Sequence, residues 1–383
     1  MTNQMPKDFE TFSEARQKAF VSVKEAKDNG KKVVGVFCTY TPWEIIHASG
    51  AIPISVCSVS DETTQEAEKH LPKNLCPLIK SSYGFAITDK CPFIYFSDMI
   101  VGETTCDGKK KMYELMSDIK NVHVMQLPHR QNDPIGFEMW KNEIVKLKER
   151  IEKDFDVVIT EEAIRNSIRI KNEQRDLLRQ IYELSKMCPP PISGYELHKL
   201  LDSVSYVQCT ETKNRELREM ISSLSEAAAT CESPVAKDAK RILITGCPSG
   251  GVAEKVIKTV EEVGGVIVSF ENCGGIKEKQ RNVDETKEDV YEALAEKYLS
   301  IPCSIMSPNT GRMDLLDELI KEYKVDGVID ITLQACHTYA VESYSVKKVC
   351  QENSVGFLNL ETNYSTSDTG QVRTRLEAFV EML

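Results

Sequence analysis

The chain has 383 residues, of which 41% are hydrophobic, and this size predicts two or three globular domains. Its 48 basic and 59 acidic residues give a net charge of −11, and its longest basic run, residues 109–111, is too short to predict nucleic-acid binding. The start, MTNQMPKDFE, lacks the features of a signal peptide, and no apolar run approaches the roughly 18 residues of a membrane span. We therefore expect a cytoplasmic protein with no membrane or nucleic-acid partner. The compartment is then reducing, and thirteen cysteines are not expected to form disulfides there.

The first third of the chain alternates apolar runs with helical stretches. The predicted strands are 33–37, 52–56, 93–97 and 122–127, and helices are predicted from 77 to 88 and from 107 to 119. This alternation indicates a parallel sheet with crossover helices. After the first strand, Thr41, Pro42 and Glu44 predict a capped helix start, with Thr41 as N-cap, and Gly50 marks the end of that helix.

The middle of the chain is rich in charged helical patterns, and the α/β alternation returns after it. Ser193 and Glu196 predict a capping box within the helical part. The later strands are predicted at 241–245, 266–270, 325–331 and 355–360, with helices near 251–263, 286–299 and 312–323. The predicted organisation is an N-terminal α/β domain (1–136), a helical connector (137–235) and a C-terminal α/β domain (236–383). Both α/β domains are expected to be parallel-sheet folds of the Rossmann-like or flavodoxin-like type.

This architecture sorts the cysteines by the end of the sheet at which they lie. Ligands of open parallel sheets collect beyond the carboxyl ends of the strands. The cysteines expected at that end are Cys38, Cys57, Cys76, Cys106, Cys247, Cys273, Cys303 and Cys336. Cys91 precedes the predicted strand 93–97 and is expected at the opposite end. The interdomain cleft is thus predicted to collect up to eight thiols.

Thiols gathered in a reducing compartment favour soft metals, and iron–sulfur chemistry is the first class to consider. Cys76 and Cys106 open predicted helices, whose N-terminal positive charge favours thiolates. None of the spacings is CxxC, which disfavours a zinc ribbon or a ferredoxin-type site. Spacing alone does not name the metal.

Glycine turns and a few polar side chains are the remaining candidates. Gly250 and Gly251 begin a helix after the 241–245 strand, where backbone N–H groups can hold an anion, and Gly274 is expected to allow close approach of a cofactor. Neither GxxxxGK[ST] nor GxGxxG occurs, so ATP, if used, is expected to be hydrolysed on a partner. The candidate catalytic residues are His337, Glu103 and Ser97. His337 adjoins Cys336, whereas Ser97 and Glu103 are expected to line the cleft after a strand, at the carboxyl end of the sheet.

Several long segments resemble one enzyme family. They include VVGVFCTYTPWEIIHASGAIPIS (33–55), NLCPLIKSSYGFA (74–86), GETTCDGKKKM (102–112), ILITGCPSGGVAEKVI (242–257) and QACHTYAVES (334–343). Together they resemble the 2-hydroxyacyl-CoA dehydratase and benzoyl-CoA reductase family over nearly the whole chain. The second, third and fifth segments look like its double-cubane-cluster branch of anaerobic reductases.

The resemblance implies a cofactor and partners. It implies Cys76, Cys106 and Cys336 as the three thiolates of one [4Fe–4S] cluster. In the double-cubane branch, an [8Fe–9S] unit needs three further thiolates, for which the topology offers Cys303, Cys273 and Cys38, with Cys247 in reserve. It also implies a homodimer and a separate ATP-hydrolysing [4Fe–4S] activator protein that delivers electrons for the reduction of a small molecule.

The residues leave three alternatives open. One is a 2-hydroxyacyl-CoA dehydratase subunit with one [4Fe–4S] cluster, for which acyl-CoA is the substrate class. A non-enzymatic iron–sulfur electron carrier and a zinc-binding structural protein are the other two. The number of thiols expected at one end of the sheets favours the double cubane, because a single cubane does not need so many.

Overall fold

The computed structural model describes residues 14–230, 233–248 and 250–383. By their contacts these residues form two compact units. The first unit comprises the described part of Met1–Asn172, together with Ser205–Thr210 and Asn282–Ile301. The second comprises Glu173–Val204, Glu211–Arg281 and Pro302–Leu383, as far as they are described.

The first unit is built on a parallel sheet of four strands in the described chain. The strands are β1 (Val33–Val36), β2 (Ile52–Ser55), β3 (Met99–Glu103) and β4 (Val122–Met125), in the order β2-β1-β3-β4. The accompanying helices are α1 (Glu14–Asp28), α2 (Trp43–Ala48), α3 (Thr64–Ala67), α4 (Pro77–Thr88), α5 (Pro92–Phe96) and α6 (Asp107–Met116). The strands predicted at 33–37, 52–56 and 122–127 are confirmed.

The strand predicted at 93–97 is wrong. Pro92 begins the short helix α5 there, which buries Phe93, Ile94 and Phe96. The strand follows it instead, as Met99–Glu103, and all five of its residues are buried. A short run of apolar residues is compatible with either structure, so the apolar content of PFIYF did not decide between them.

Four helices follow the first sheet. They are α7 (Pro134–Phe155), α8 (Glu161–Ser185), α9 (Gly194–Ser203) and α10 (Thr210–Ala229). The helical character predicted for this stretch is confirmed. The boundary between the units falls within α8, between Asn172 and Glu173, so these helices are distributed between the units. Whether residues 137–235 form a connector between two domains stays a prediction.

The second unit carries another parallel sheet of four strands in its described residues. The strands are β5 (Lys240–Gly246), β6 (Gly265–Glu271), β7 (Gly327–Leu333) and β8 (Gly356–Thr362), in the order β6-β5-β7-β8. The helices of this part of the chain are α11 (Gly250–Glu262), α12 (Val290–Leu299), α13 (Thr310–Glu322), α14 (His337–Glu352) and α15 (Thr369–Glu381). All four predicted strands are confirmed, whereas α14 and α15 were not predicted. By its contacts, α12 belongs to the first unit.

The two sheets share one strand order. In each, the first strand in sequence lies between the second and the third, so the direction of winding reverses between β1 and β3 and between β5 and β7. Such a reversal opens a crevice outside the carboxyl ends of the two strands, where doubly wound α/β proteins bind ligands. The predicted class, two parallel-sheet α/β domains, is confirmed. The residues that follow the two middle strands of each sheet are therefore candidates for ligand binding.

Two predicted helix starts had different outcomes. Ser193 and Glu196 form a capping box at α9, as predicted, with each side chain bonded to the backbone of the other residue. At α2 the predicted N-cap, Thr41, is wrong, because Pro42 occupies the N-cap position and no side chain caps the helix. The Thr41 hydroxyl donates a hydrogen bond to Glu103 Oε1 instead. Within the residues described, no helix has both the length and the apolar character needed to cross a membrane.

Candidate functional site

Thiols follow the middle strands of the first sheet. Cys38 lies two residues beyond β1, and Cys106 follows β3 as the N-cap of α6. Cys76 is the N-cap of α4. Neither Cys106 nor Cys76 uses its side chain to cap its helix, so both thiols lie at positively charged helix ends without that bond. Positive charge at a helix end favours a thiolate ligand there.

The second sheet repeats this placement. Cys247 directly follows β5, and Cys336 follows β7 as the N-cap of α14. Cys247 is buried, and its Sγ accepts a hydrogen bond from the Leu333 N–H at 3.3 Å. That bond ties the end of β5 to the end of β7. Cys273 follows β6, and Cys303 is almost fully buried in the loop before α13.

Beside the cysteines of the first unit lies an ammonium group. Lys109 Nζ and Cys57 Sγ both donate to the Phe37 carbonyl oxygen, each at 3.1 Å. Burial opposes the charge of Lys109, but Tyr113 and three thiols raise its pKa well above the usual value; the thiols are Cys57, Cys38 and Cys106. The ammonium and these thiols therefore share one electrostatic environment.

Glu103 is a buried carboxyl group at the end of β3. Its Oε1 accepts the hydrogen bond from Thr41, and its Oε2 is buried without a hydrogen-bond partner among the residues described. Burial raises the pKa of Glu103 to about 7, although the Thr41 hydrogen bond and the charge of Lys109 lower it. The Tyr113 hydroxyl is also buried and has no described partner. Glu103 can thus hold and release a proton near neutral pH.

A denser charged network lies in the second unit. Glu271, at the end of β6, has no exposed side-chain surface, and its Oε2 accepts hydrogen bonds from Arg312 Nε at 3.0 Å and from the Thr245 hydroxyl. Arg312 also pairs with Glu342. Asn309 links this network to the cysteine loop, because its Nδ2 donates to Glu342 Oε1 at 2.5 Å and to the carbonyl oxygen of Cys303 at 2.9 Å.

The predicted catalytic residues lie at different places. Glu103 is the last residue of β3, at the carboxyl end of that strand. Ser97 precedes β3 rather than following a strand, and its hydroxyl donates to the Phe93 carbonyl oxygen at 2.7 Å within the turn after α5. Its expected position at the carboxyl end of the sheet is therefore wrong. His337 is an exposed residue at the start of α14, next to Cys336.

The glycines predicted to contact a cofactor differ in the space around them. Gly250 and Gly251 begin α11, as predicted. A Cβ atom at Gly274 would meet nothing within 4 Å, so this position is open. At the neighbouring Gly275 a Cβ would lie 2.0 Å from the Phe270 carbonyl oxygen, so glycine is required there by the protein's own backbone. Contact of Gly250, Gly251 and Gly274 with a cofactor stays a prediction.

Cys91 does not lie where the sequence placed it. It precedes α5 rather than a strand, and it lines a small pocket together with Cys57 and Ser58, which follow β2. The apolar walls of that pocket include Phe85 and Phe93. Cys91 was expected at the opposite end of the sheet because a strand was predicted at 93–97. That strand is wrong, so the expectation for Cys91 no longer holds.

The donor set suits an iron–sulfur cluster better than a single ion. None of the twelve described cysteines forms a disulfide. In the described part of the chain, no three His, Cys, Asp or Glu side chains are gathered closely enough to hold one metal ion. A cubane binds each thiolate through a different iron, so its cysteine ligands lie farther apart than the ligands of a single ion. Thiols at helix N-termini, such as Cys76, Cys106 and Cys336, fit such a group, as do thiols near the ammonium group of a lysine.

Comparison with known proteins gives the family. Residues 38–383 match the family model described as 2-hydroxyglutaryl-CoA dehydratase, D-component. The chain belongs to this family. The predicted membership of the 2-hydroxyacyl-CoA dehydratase and benzoyl-CoA reductase family is confirmed, and the chain is related to enzyme subunits of both the dehydratase and the reductase kind.

Three relatives illustrate that range. "Putative dehydratase subunit YjiM" of Escherichia coli K12 is 49% identical over 100% of both chains. The (R)-phenyllactyl-CoA dehydratase beta subunit of Clostridium sporogenes is 24% identical, with 98% of each chain covered. A benzoyl-CoA reductase subunit of Thauera aromatica is also 24% identical, over 97% of this chain and 94% of that one.

Proposed function

We propose that the protein is an ATP-dependent low-potential reductase that carries a double-cubane [8Fe–9S] cluster. The observation that supports this most is the abundance of thiols after the strands of both sheets. Cys38, Cys57 and Cys106 follow strands of the first sheet, and Cys247, Cys273 and Cys336 follow strands of the second. A single cubane held by Cys76, Cys106 and Cys336 would use two of these six thiols, whereas two linked cubanes, which need six thiolates, would use four of them together with Cys76 and Cys303.

The proposed ligands are those that the family resemblance and the topology name. Cys76, Cys106 and Cys336 are each the N-cap of a helix and are proposed for one set of irons. Cys38, Cys273 and Cys303 are proposed to complete the second set. Low potential requires that the negative charge of thiolate and sulfide be retained in a protected site. When bound, the cluster would supply electrons to a small substrate.

The chain's own groups would supply protons. Glu103 holds its proton near neutral pH because burial disfavours the carboxylate, and its Oε2 has no competing partner in the described structure. His337 is an exposed imidazole beside a proposed ligand and would exchange protons with water. These two residues are proposed as proton donors, whereas Ser97 is bonded to a turn carbonyl before β3.

Electrons would come from a partner. The sequence contains no P-loop signature, which fits a division of labour in which a separate [4Fe–4S] activator hydrolyses ATP. Homodimerisation is proposed from the resemblance to the double-cubane branch. Several relatives are named as single subunits of a dehydratase or a reductase, which fits assembly with other proteins in this family.

A dehydratase subunit is the second candidate. The E. coli relative that shares 49% identity is named as a dehydratase subunit, as are several of the more distant ones. In that case Cys76, Cys106 and Cys336 would hold one [4Fe–4S] cluster, and the substrate would be a 2-hydroxyacyl-CoA.

Substitution of one cysteine at a time tests the proposal. Cys336→Ala should lose iron and cluster-dependent turnover. Cys350→Ala is the matched control on the same helix, because Cys350 is buried and burial raises its thiol pKa to about 12, so it is not a thiolate. The variants are purified without oxygen and assayed for iron, for sulfide and for turnover with an ATP-hydrolysing activator. Full iron retention in Cys336→Ala would refute the ligand assignment.

A further inference from the structure

A lysine with no exposed side-chain surface lies just beyond β6. Lys277 is in the short turn of helix at Ile276–Glu278, and its side chain is 0% exposed. Its Nζ donates to the Tyr339 hydroxyl at 3.0 Å and lies 3.5 Å from Glu271 Oε1. Taking an ammonium group out of water is unfavourable unless anionic partners compensate its charge. The buried charge of Lys277 therefore requires negatively charged groups nearby.

Glu271 alone does not balance the positive charge of Lys277. Its other carboxylate oxygen, Oε2, is bonded to Arg312 and Thr245, and Arg312 is buried as completely as Lys277. Both buried cations thus contact this carboxylate, although Arg312 also pairs with Glu342. An ammonium group has three N–H donors, and one described hydrogen bond uses one of them. Lys277 retains capacity for another anionic partner.

Two thiols share the environment of Lys277. Burial opposes its charge, but Glu271, Cys273 and Cys303 raise the pKa of the Lys277 ammonium group. The same two thiols also raise the pKa of Tyr339, after the larger effect of burial. Cys303 is 7% exposed, and Asn309 holds its backbone. Geometry places the thiols and the ammonium in one region: Cys273 and Lys277 both follow β6 within six residues. A chain of contacts through Asn309, Glu342 and Arg312 joins the Cys303 carbonyl to Glu271, the carboxylate beside Lys277.

The first unit has an independent instance of the same arrangement. Lys109 Nζ and Cys57 Sγ share the Phe37 carbonyl oxygen, which directly precedes Cys38. Because each atom lies 3.1 Å from that oxygen, the two cannot be more than about 6.2 Å apart. Each unit thus sets a lysine ammonium among the thiols that follow its strands.

We propose that Lys277 and Lys109 are positioning cations for the iron–sulfur cluster. Their positive charge balances part of the negative charge of the thiolates and sulfides, which strengthens cluster binding and raises the reduction potential of the cluster. This inference rests on the proposed function. A fixed positive charge stabilises the more negative, reduced state, so its removal makes the potential more negative. Groups that orient or balance metal ligands typically change affinity about 10–100-fold when they are removed.

The test compares four variants with wild type, all purified without oxygen. Lys277→Met removes the charge and keeps most of the volume, whereas Lys277→Arg keeps the charge. Lys255→Met is the matched control in the same unit, because Lys255 is also nearly buried but pairs with Asp368 and with backbone carbonyls. Iron, sulfide and the midpoint potential from spectroscopically monitored redox titration are measured for each protein. Lys109→Met serves as a second charge-removing variant in the other unit.

We expect Lys277→Met to bind the cluster at least about tenfold more weakly, and its remaining clusters to have a more negative midpoint potential. Lys277→Arg should restore both properties towards wild type, and Lys255→Met should resemble wild type. If Lys277→Met fails to fold, as judged by circular dichroism, the shift in Lys109→Met decides the question. A wild type with a cluster and charge-removing variants with unchanged iron and potential would overturn this inference alone. A wild type without iron and sulfide would overturn the proposed function and this inference with it.

Discussion

Protonation of Glu103 near neutral pH can be isolated by the substitution Glu103→Gln. The side chain is 0% exposed, and burial raises its pKa from 4.5 to about 7 against the effects of Thr41 and Lys109. Glutamine keeps the shape of the side chain and an oxygen that can accept the Thr41 hydrogen bond, but it does not titrate. A pH-dependent difference in stability or infrared absorption between wild type and Glu103→Gln therefore reports on the proton of Glu103.

The direction and size of the effect follow from the raised pKa. Between pH 4.5 and about 7 the unfolded chain loses this proton while the folded chain keeps it. Stability therefore falls as pH rises through this window, and below it the group makes no pH-dependent contribution. For a pKa shift from 4.5 to about 7, the free energy of unfolding falls by about 2.5 kcal/mol between pH 5 and pH 8. Glu103→Gln should lack this loss.

Two measurements check the reasoning. In infrared difference spectra between wild type and Glu103→Gln, the band of a protonated carboxyl group should titrate with a midpoint near pH 7. In urea unfolding, the advantage of wild type over the variant should shrink from pH 5 to pH 8. Thr41→Val removes a hydrogen bond that favours the carboxylate and should move the midpoint higher. Glu361→Gln, which alters an exposed carboxylate, should leave the midpoint unchanged. A carboxyl band with a midpoint near pH 4.5 in wild type would refute the assignment.

Two further changes test the fold around the site. Gly246→Ala should destabilise the protein by at least about 2 kcal/mol, because its φ is +106° and an added Cβ would lie 2.1 Å from the Ile331 carbonyl oxygen; Gly370→Ala, where nothing lies within 4 Å, is the control. Equal urea midpoints for these two variants would contradict the first prediction. Ser193→Ala should lower the free energy of unfolding by about 1 kcal/mol through loss of the α9 cap, and an unchanged midpoint would show that the cap contributes little.

Most strands could be predicted because parallel strands buried on both faces are continuous apolar runs. The runs at 241–245 and 266–270 lie within strands in the structure. The strand prediction at 93–97 failed because four apolar residues behind a proline also suit a short helix, and because the true strand, Met99–Glu103, contains a glycine and ends in a glutamate. The error carried over to Ser97 and Cys91, whose expected positions depended on that strand.

The thiols could be sorted from the sequence because a cysteine after a strand is visible in the pattern. Their charged neighbours could not, because Glu271, Arg312 and Lys277 meet only through the tertiary fold. The pairing of Thr41 with Glu103 was likewise hidden, since Thr41 also satisfies the sequence pattern of an N-cap. The one signal in the sequence was the nearness of Lys109 to Cys106 and of Lys277 to Cys273. Sequence alone does not distinguish such lysines from exposed ones.

The central claim is tested most directly by counting iron and acid-labile sulfide per chain after strictly anaerobic purification. A double cubane predicts about eight irons and about nine sulfides per chain. About four irons would contradict the double cubane and favour the dehydratase subunit with one cubane. A preparation without iron and sulfide would contradict an iron–sulfur function for this chain altogether.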